Sequence, residues 1–192
     1  MKTLDLLPIG DLDTGSPASP DLARWGGGAR LLQNLRRALA DSFHVSSRIL
    51  DARLDPRLAF HPERGQYHSS EILQAMQPYA ASGAWRVLGI TAVDLYIPIL
   101  TFVFGEAQIG GPCALVSFHR LNQEFYGLPP DPSLLVERLV KESVHEVGHT
   151  FDLTHCDDYS CAMAPSHAVE WIDLKEATLC PNCQARALEA VG

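Results

Sequence analysis

His145-Glu146-Val147-Gly148-His149-Thr150-Phe151-Asp152-Leu153-Thr154-His155-Cys156 is the most informative run in the chain. Upstream of it, Asp131-Pro132 offers an N-cap followed by proline at the first helical position, so a helix is expected from there to about Phe151. Val136, Val140, Val144, Val147 and Phe151 would form its buried stripe. On that helix His145 and His149 stand one turn apart on one face, where two imidazoles can bind the same metal ion. Glu146 is rotated about 100° from His145, a poor position for a ligand and a good one for taking a proton from a metal-bound water. The same five residues also occur as two surface or packed histidines. His155, six residues after His149, cannot continue the helical face. A sharp turn after Phe151 would bring it back as a third nitrogen, leaving the open fourth position of a catalytic zinc site.

C-terminal to this run the cysteines cluster. Cys156-x4-Cys161 and Cys180-x2-Cys183 are two short-spaced pairs, and four thiolates can close a tetrahedral zinc site that stabilises a fold. Unbound reduced pairs or a disulfide are the other readings of the same spacing. The fifth cysteine, Cys113, follows Pro112 in an apolar run and reads as a buried, inert thiol.

N-terminal to the helix, apolar runs alternate with breakers. Leu4–Ile9 reads as a strand, 11–28 as a loop with Pro17, Pro20 and Gly26-Gly27-Gly28, and Ala29–Ala40 as an amphipathic helix with leucines at 31, 32, 35 and 39. Phe43–Leu50 reads as a strand and 51–65 as a loop. A helix capped by Ser69 or Ser70 should run to about Ala81 and stop at Gly83. Trp85–Ala92, Leu100–Glu106 and Pro112–Phe118 then read as strands. This order implies an α/β fold around a mixed sheet.

The chain has 192 residues and a formal net charge of -8, with cationic residues scattered. Counterion-release binding needs clustered cations, so nucleic acid is not expected as a partner. No stretch has the roughly 20 apolar residues needed to span a bilayer, and the N-terminus lacks a secretory signal pattern. The expectation is a cytoplasmic, membrane-free monomer with reduced cysteines.

The combination of His145 to Cys156, Cys161-Ala162-Met163 and Cys180-Pro181-Asn182-Cys183 resembles the signature of the archaemetzincins, small metzincin-type zinc peptidases. Arg64-Gly65-Gln66-Tyr67, Leu88-Gly89-Ile90-Thr91 through Asp94-Leu95-Tyr96, and Phe102-Val103-Phe104-Gly105-Glu106-Ala107 also look like family segments, so the resemblance covers roughly residues 64 to 183. It implies a zincin/metzincin-like fold with a twisted mixed sheet and an active-site helix, above a small zinc-stabilised C-terminal subdomain. The two parts would be residues 1–150 and 151–192 of one compact domain. It further implies two zinc ions per chain. His145, His149 and His155 would hold the catalytic one, with Glu146 as general acid/base and Met163, on spacing alone a core methionine, in the turn beneath it. Cys156, Cys161, Cys180 and Cys183 would hold the structural one.

One position departs from the family pattern. Where the family has glycine three residues after the second histidine, this chain has Asp152. Asp is among the few non-glycine residues that visit the left-handed region, so the turn is expected to survive. Its carboxylate would weaken catalysis, serve as second-shell partner to a histidine, or compete for the metal.

The expected activity is zinc-dependent hydrolysis of peptide bonds in a peptide or protein substrate, with Glu146 taking the proton of a zinc-activated water. The alternative is a catalytically weak or inactive zinc protein that binds peptides. Substrate would add as a strand to a cleft edge expected near Ala107–Leu115, where Gly110-Gly111 allows close approach. Glu106 and Glu124 are solvated surface groups or a preference for basic substrate residues. His44, His61, His68, His119 and His167 read as surface or satisfied histidines, with His167 the one placed to face the cleft.

Overall fold

Alternation in three strands sets the layers. In β1 (Thr3–Ile9), β5 (Arg86–Thr91) and β8 (Cys113–Ser117), Leu4, Leu6, Leu88, Ile90, Ala114 and Val116 face one core cluster. Their neighbours Leu7, Ile9, Val87, Cys113 and Leu115 face the other. A sheet apolar on both faces must be covered on both. Helices α1 (Gly27–Phe43) and α3 (Pro132–Thr150) contribute Leu35, Leu39, Leu139, Val144 and Val147 to the first layer. Helix α2 (Ser69–Ala81) supplies Ile72, Leu73 and Met76 to the second. The computed structural model behind this description covers residues 2–13, 27–81 and 83–191.

With β2 (Ser46–Ile49) and β7 (Gly105–Ala107), the main sheet has the order β2-β1-β5-β8-β7. All its pairings are parallel except the last. Strand β7 runs antiparallel to β8, with Gly105 opposite Val116 and Ala107 opposite Ala114. A second small sheet joins β3 (Phe60–His61), β4 (Gln66–His68) and β6 (Leu95–Tyr96). After α3 come two helices, α4 (Val169–Leu174) and α5 (Pro181–Val191). No helix among the described residues is long and apolar enough to cross a membrane.

Helix α3 begins as expected. Asp131 accepts from the Leu134 amide at 3.0 Å and Pro132 opens the first turn. Its buried side is broader than a valine stripe. Leu135 and Leu139 are buried while Val136 and Val140 are only partly so, and from Glu142 to Gly148 every residue is buried, because core lies on more than one side of the helix. At its C-terminal end Arg86 donates to the Thr150 carbonyl at 3.0 and 3.2 Å. Phe151 packs there against Trp85 and Phe43, with ring centroids 5.0 Å apart in each case.

Several boundaries differ from the sequence reading. The expected strand Phe43–Leu50 shrinks to Ser46–Ile49, because Phe43 closes α1 and His44 turns the chain at a φ of 53°. Of Leu100–Glu106 only the last two residues join a strand, and Leu95–Tyr96 pairs instead. The hydroxyls of Ser69 and Ser70 both donate to the Glu106 carboxylate on β7, rather than capping α2. The loop expected over 11–28 falls largely outside the described residues.

Candidate metal centre and cleft

His145 and His149 project from the last turns of α3, and their Nε2 atoms approach to 3.1 Å. The chain leaves the helix as the sequence requires: Asp152 adopts a φ of 62°, in the left-handed region, and its amide donates to the His149 carbonyl at 3.0 Å. That reversal returns His155, so that one ligand atom from each of the three histidines lies within 4.8 Å of the others. The outer ring nitrogens are already engaged. His145 Nδ1 pairs with the Ala162 carbonyl at 2.9 Å and His149 Nδ1 with the Leu153 carbonyl at 2.7 Å. Nδ1–H donors on carbonyls fix the tautomer that leaves each Nε2 lone pair free, the arrangement in which histidine binds metal. Burial pushes all three imidazoles below their ordinary value, His145 furthest, with Lys175 and neighbouring imidazoles adding repulsion. Neutral imidazole is the metal-binding form, so this donor set fits zinc.

Glu146 is buried on the same helix. Burial, and after it the neighbouring Glu142, pushes its carboxyl well above the ordinary carboxylate range, against the pull of Lys175. A cleft of about 700 Å³ opens over these groups, lined by Glu146, the three histidines, β7, residues 100–104 and Pro165-Ser166-His167. Strand β7 lies at the sheet edge, with no partner on its other side among the described strands. The cleft edge is therefore Gly105–Ala107, not the expected Ala107–Leu115. Residues 113–115 belong to the interior strand β8, and Gly110-Gly111 sit in the turn before it. Gly105 is required where it stands: a Cβ there would lie 2.6 Å from the Glu146 side chain and from the Leu115 carbonyl.

Met163 is fully buried against α3, where a Cβ on Gly148 would collide with its sulfur. The Met163 carbonyl accepts from the Cys156 amide at 3.0 Å, tying the turn that carries His155 to the methionine turn. Sulfur atoms of Cys156, Cys161, Cys180 and Cys183 all lie within 4.8 Å of one another. Cys156 and Cys180 are 3.8 Å apart at sulfur, so the pair is not a disulfide. The amides of Met163 and Cys180 point at the Cys161 sulfur, at 3.5 and 3.2 Å.

A family model described as peptidase family M54 matches residues 71–189. The chain belongs to that family. Its curated relatives include the archaemetzincin of Thermococcus kodakarensis, 44% identical over 131 residues that make up 68% of this chain and 70% of the relative. Among solved structures, the archaemetzincin of Methanopyrus kandleri superposes with a TM-score of 0.77 at 30% identity, covering 99% of this chain and 95% of that one. A zinc-dependent peptidase from Methanocorpusculum labreanum gives a TM-score of 0.80 at 27% identity, covering 96% of this chain and 99% of its own. The mixed α/β archaemetzincin fold is thus shown, and by family the chain is a zinc metallopeptidase.

The residues singled out in the sequence fall into two groups, the histidines with Glu146 and Met163, and the four cysteines. Asp152 stands apart. Its carboxylate is exposed and makes no hydrogen bond to a histidine, since backbone carbonyls hold the Nδ1 atoms of His145 and His149. His167 does line the cleft. Glu106 is held by two serines, which accounts for it without a substrate. The sequence reading missed Glu142 and Lys175, a buried ion pair at 2.7 Å beside the histidines. For Glu142 a signal existed: it precedes His145 by three residues and Glu146 by four, on the same helical side. Lys175, in Asp173-Leu174-Lys175-Glu176, has the look of an ordinary surface charge run.

Proposed function

We propose that the chain hydrolyses peptide bonds at the histidine group, with His145, His149 and His155 as ligands of a catalytic zinc and Glu146 as general acid/base. The observation that carries this reading is the convergence of three imidazoles, two of them with Nε2 turned inward, beside a buried carboxyl in one cleft. Zinc bound there supplies a Lewis acid that polarises a carbonyl and brings the pKa of bound water to about 7. Glu146, its carboxyl raised by burial, has the proton affinity to accept the water's proton and return it to the leaving amine. The free edge of β7 offers main-chain groups to an extended peptide as an added antiparallel strand.

Cys156, Cys161, Cys180 and Cys183 hold a second, structural zinc in this reading, giving two per chain. Residues 1–150 then carry the sheets, helices α1 to α3 and the base, and residues 151–192 the third histidine, the methionine turn and the cysteine site. Clustered cysteines read as metal ligands support a cytoplasmic location in this reading, and we take the enzyme to act as a monomer on peptides or proteins. That Asp152 adopts the left-handed conformation supports the catalytic reading over a binding module, since the turn that positions His155 is kept.

The test is a diverse peptide library digested by the zinc-loaded chain and by Glu146→Gln, read by mass spectrometry beside metal analysis. Cuts should appear with the parent chain, fall by 100-fold or more in the variant, and be accompanied by two zincs in both proteins. Identical profiles from two zinc-replete proteins would sink the reading.

A further inference from the structure

The chemistry above leaves one buried charged group of the cleft unused. Glu142, with its side chain only 4% exposed, lines the cleft one turn before Glu146. Its Oε1 forms an ion pair with Lys175 Nζ at 2.7 Å and accepts from the Ser166 hydroxyl at 3.4 Å. Lys175, 1% exposed, also donates to the Ala164 carbonyl at 3.2 Å. Oε2 of Glu142 has no hydrogen-bond partner among the described residues. A buried ion pair is commonly no more stabilising than apolar packing of the same volume, so stability alone explains this one poorly. A carboxylate that lines a substrate cleft with one oxygen outside any hydrogen bond is explained if the substrate brings a donor.

We propose that Glu142, held by Lys175 and Ser166, determines specificity by forming a side-chain subsite for a hydrogen-bond-donating residue beside the scissile bond. This rests on the peptidase reading. An aliphatic residue seated there would cover Oε2 without satisfying it, and sites built to bond a donor reject analogues that lack one far more strongly than apolar pockets reject a misfit. Placement three residues before His145 makes the subsite one that flanks the bond being cut.

The probe is a pair of peptides identical except for Lys or norleucine, which share a four-carbon chain and differ by the donor, scanned through the positions flanking the cut. With the zinc-loaded chain, Lys should exceed norleucine at least tenfold in kcat/KM at one flanking position. In Glu142→Gln, Lys175 and Ser166 retain the amide oxygen and turn the amide nitrogen to the cleft, so the ratio at that position should fall to near one. The double variant Glu142→Met/Lys175→Met removes both charges at similar volume and should reach the same ratio. The same peptides titrated calorimetrically into Glu146→Gln should differ at least fivefold in Kd, and this arm reports on the subsite even if no peptide is cleaved, in which case the peptidase reading alone fails. Equal kcat/KM and equal Kd at every flanking position would overturn the proposal, as would a Lys preference that survives in both Glu142 variants.

Discussion

Gly148 illustrates how a residue inside the metal motif is fixed by something outside it. It faces the Met163 sulfur so closely that even a methyl group collides. Gly148→Ala should cost about 1–3 kcal/mol in urea unfolding, although alanine is the better helix former. Asp152 presents the opposite case, a side chain tolerated where glycine is at ease. With φ at 62°, Asp152→Gly should leave stability within about 1 kcal/mol of the parent, while Asp152→Val should lose roughly 1–2 kcal/mol. Both are measurable by thermal or chemical denaturation. Cys113, fully buried in β8, has its thiol pushed up by burial to about 11. The folded chain therefore holds that proton more tightly than the unfolded one. Its contribution to stability is complete below about pH 9 and is lost as pH rises through about 11. Melting curves over that range should fall more steeply for the parent than for Cys113→Ala.

At the scale of elements, α3 was legible because its signals are local: the Asp131-Pro132 start, the apolar spacing and the paired histidines. Asp131→Ala should cost about 1 kcal/mol through the lost cap. The ion pair between α3 and the residue after α4 was not legible, since Lys175 becomes buried only when the C-terminal segment folds under the helix. Lys175→Met should destabilise by about 3–5 kcal/mol by stranding Glu142, and adding Glu142→Met should recover most of that loss. Strand β7 was partly legible. Its apolar run was visible, but which residues pair depends on β8 across from it, and three-residue strands carry too little pattern to place an edge.

For the whole molecule, the helices on both faces follow from side chains that are apolar on both sides of β1, β5 and β8, whereas the strand order β2-β1-β5-β8-β7 rests on pairings that no single strand's pattern encodes. Less predictable was the way residues 151–191 close beneath α3, because the contacts that matter there are backbone hydrogen bonds, silent in the sequence. On the two-zinc proposal, removing metal with a chelator at neutral pH should lower the melting temperature more than His145→Ala does, since a zinc held by the four cysteines would join the separate stretches 156–161 and 180–183. Differential scanning calorimetry on the two preparations checks this. The segment Cys161-Ala162-Met163-Ala164 concentrates that dependence. Its four consecutive residues present a thiol to the cysteine group, a carbonyl to His145, a carbonyl to the Cys156 amide and a carbonyl to Lys175. Inserting or deleting one residue there would put all four out of register together, so one change of length would cost the cysteine group, a histidine, the turn at Cys156 and the buried lysine at once.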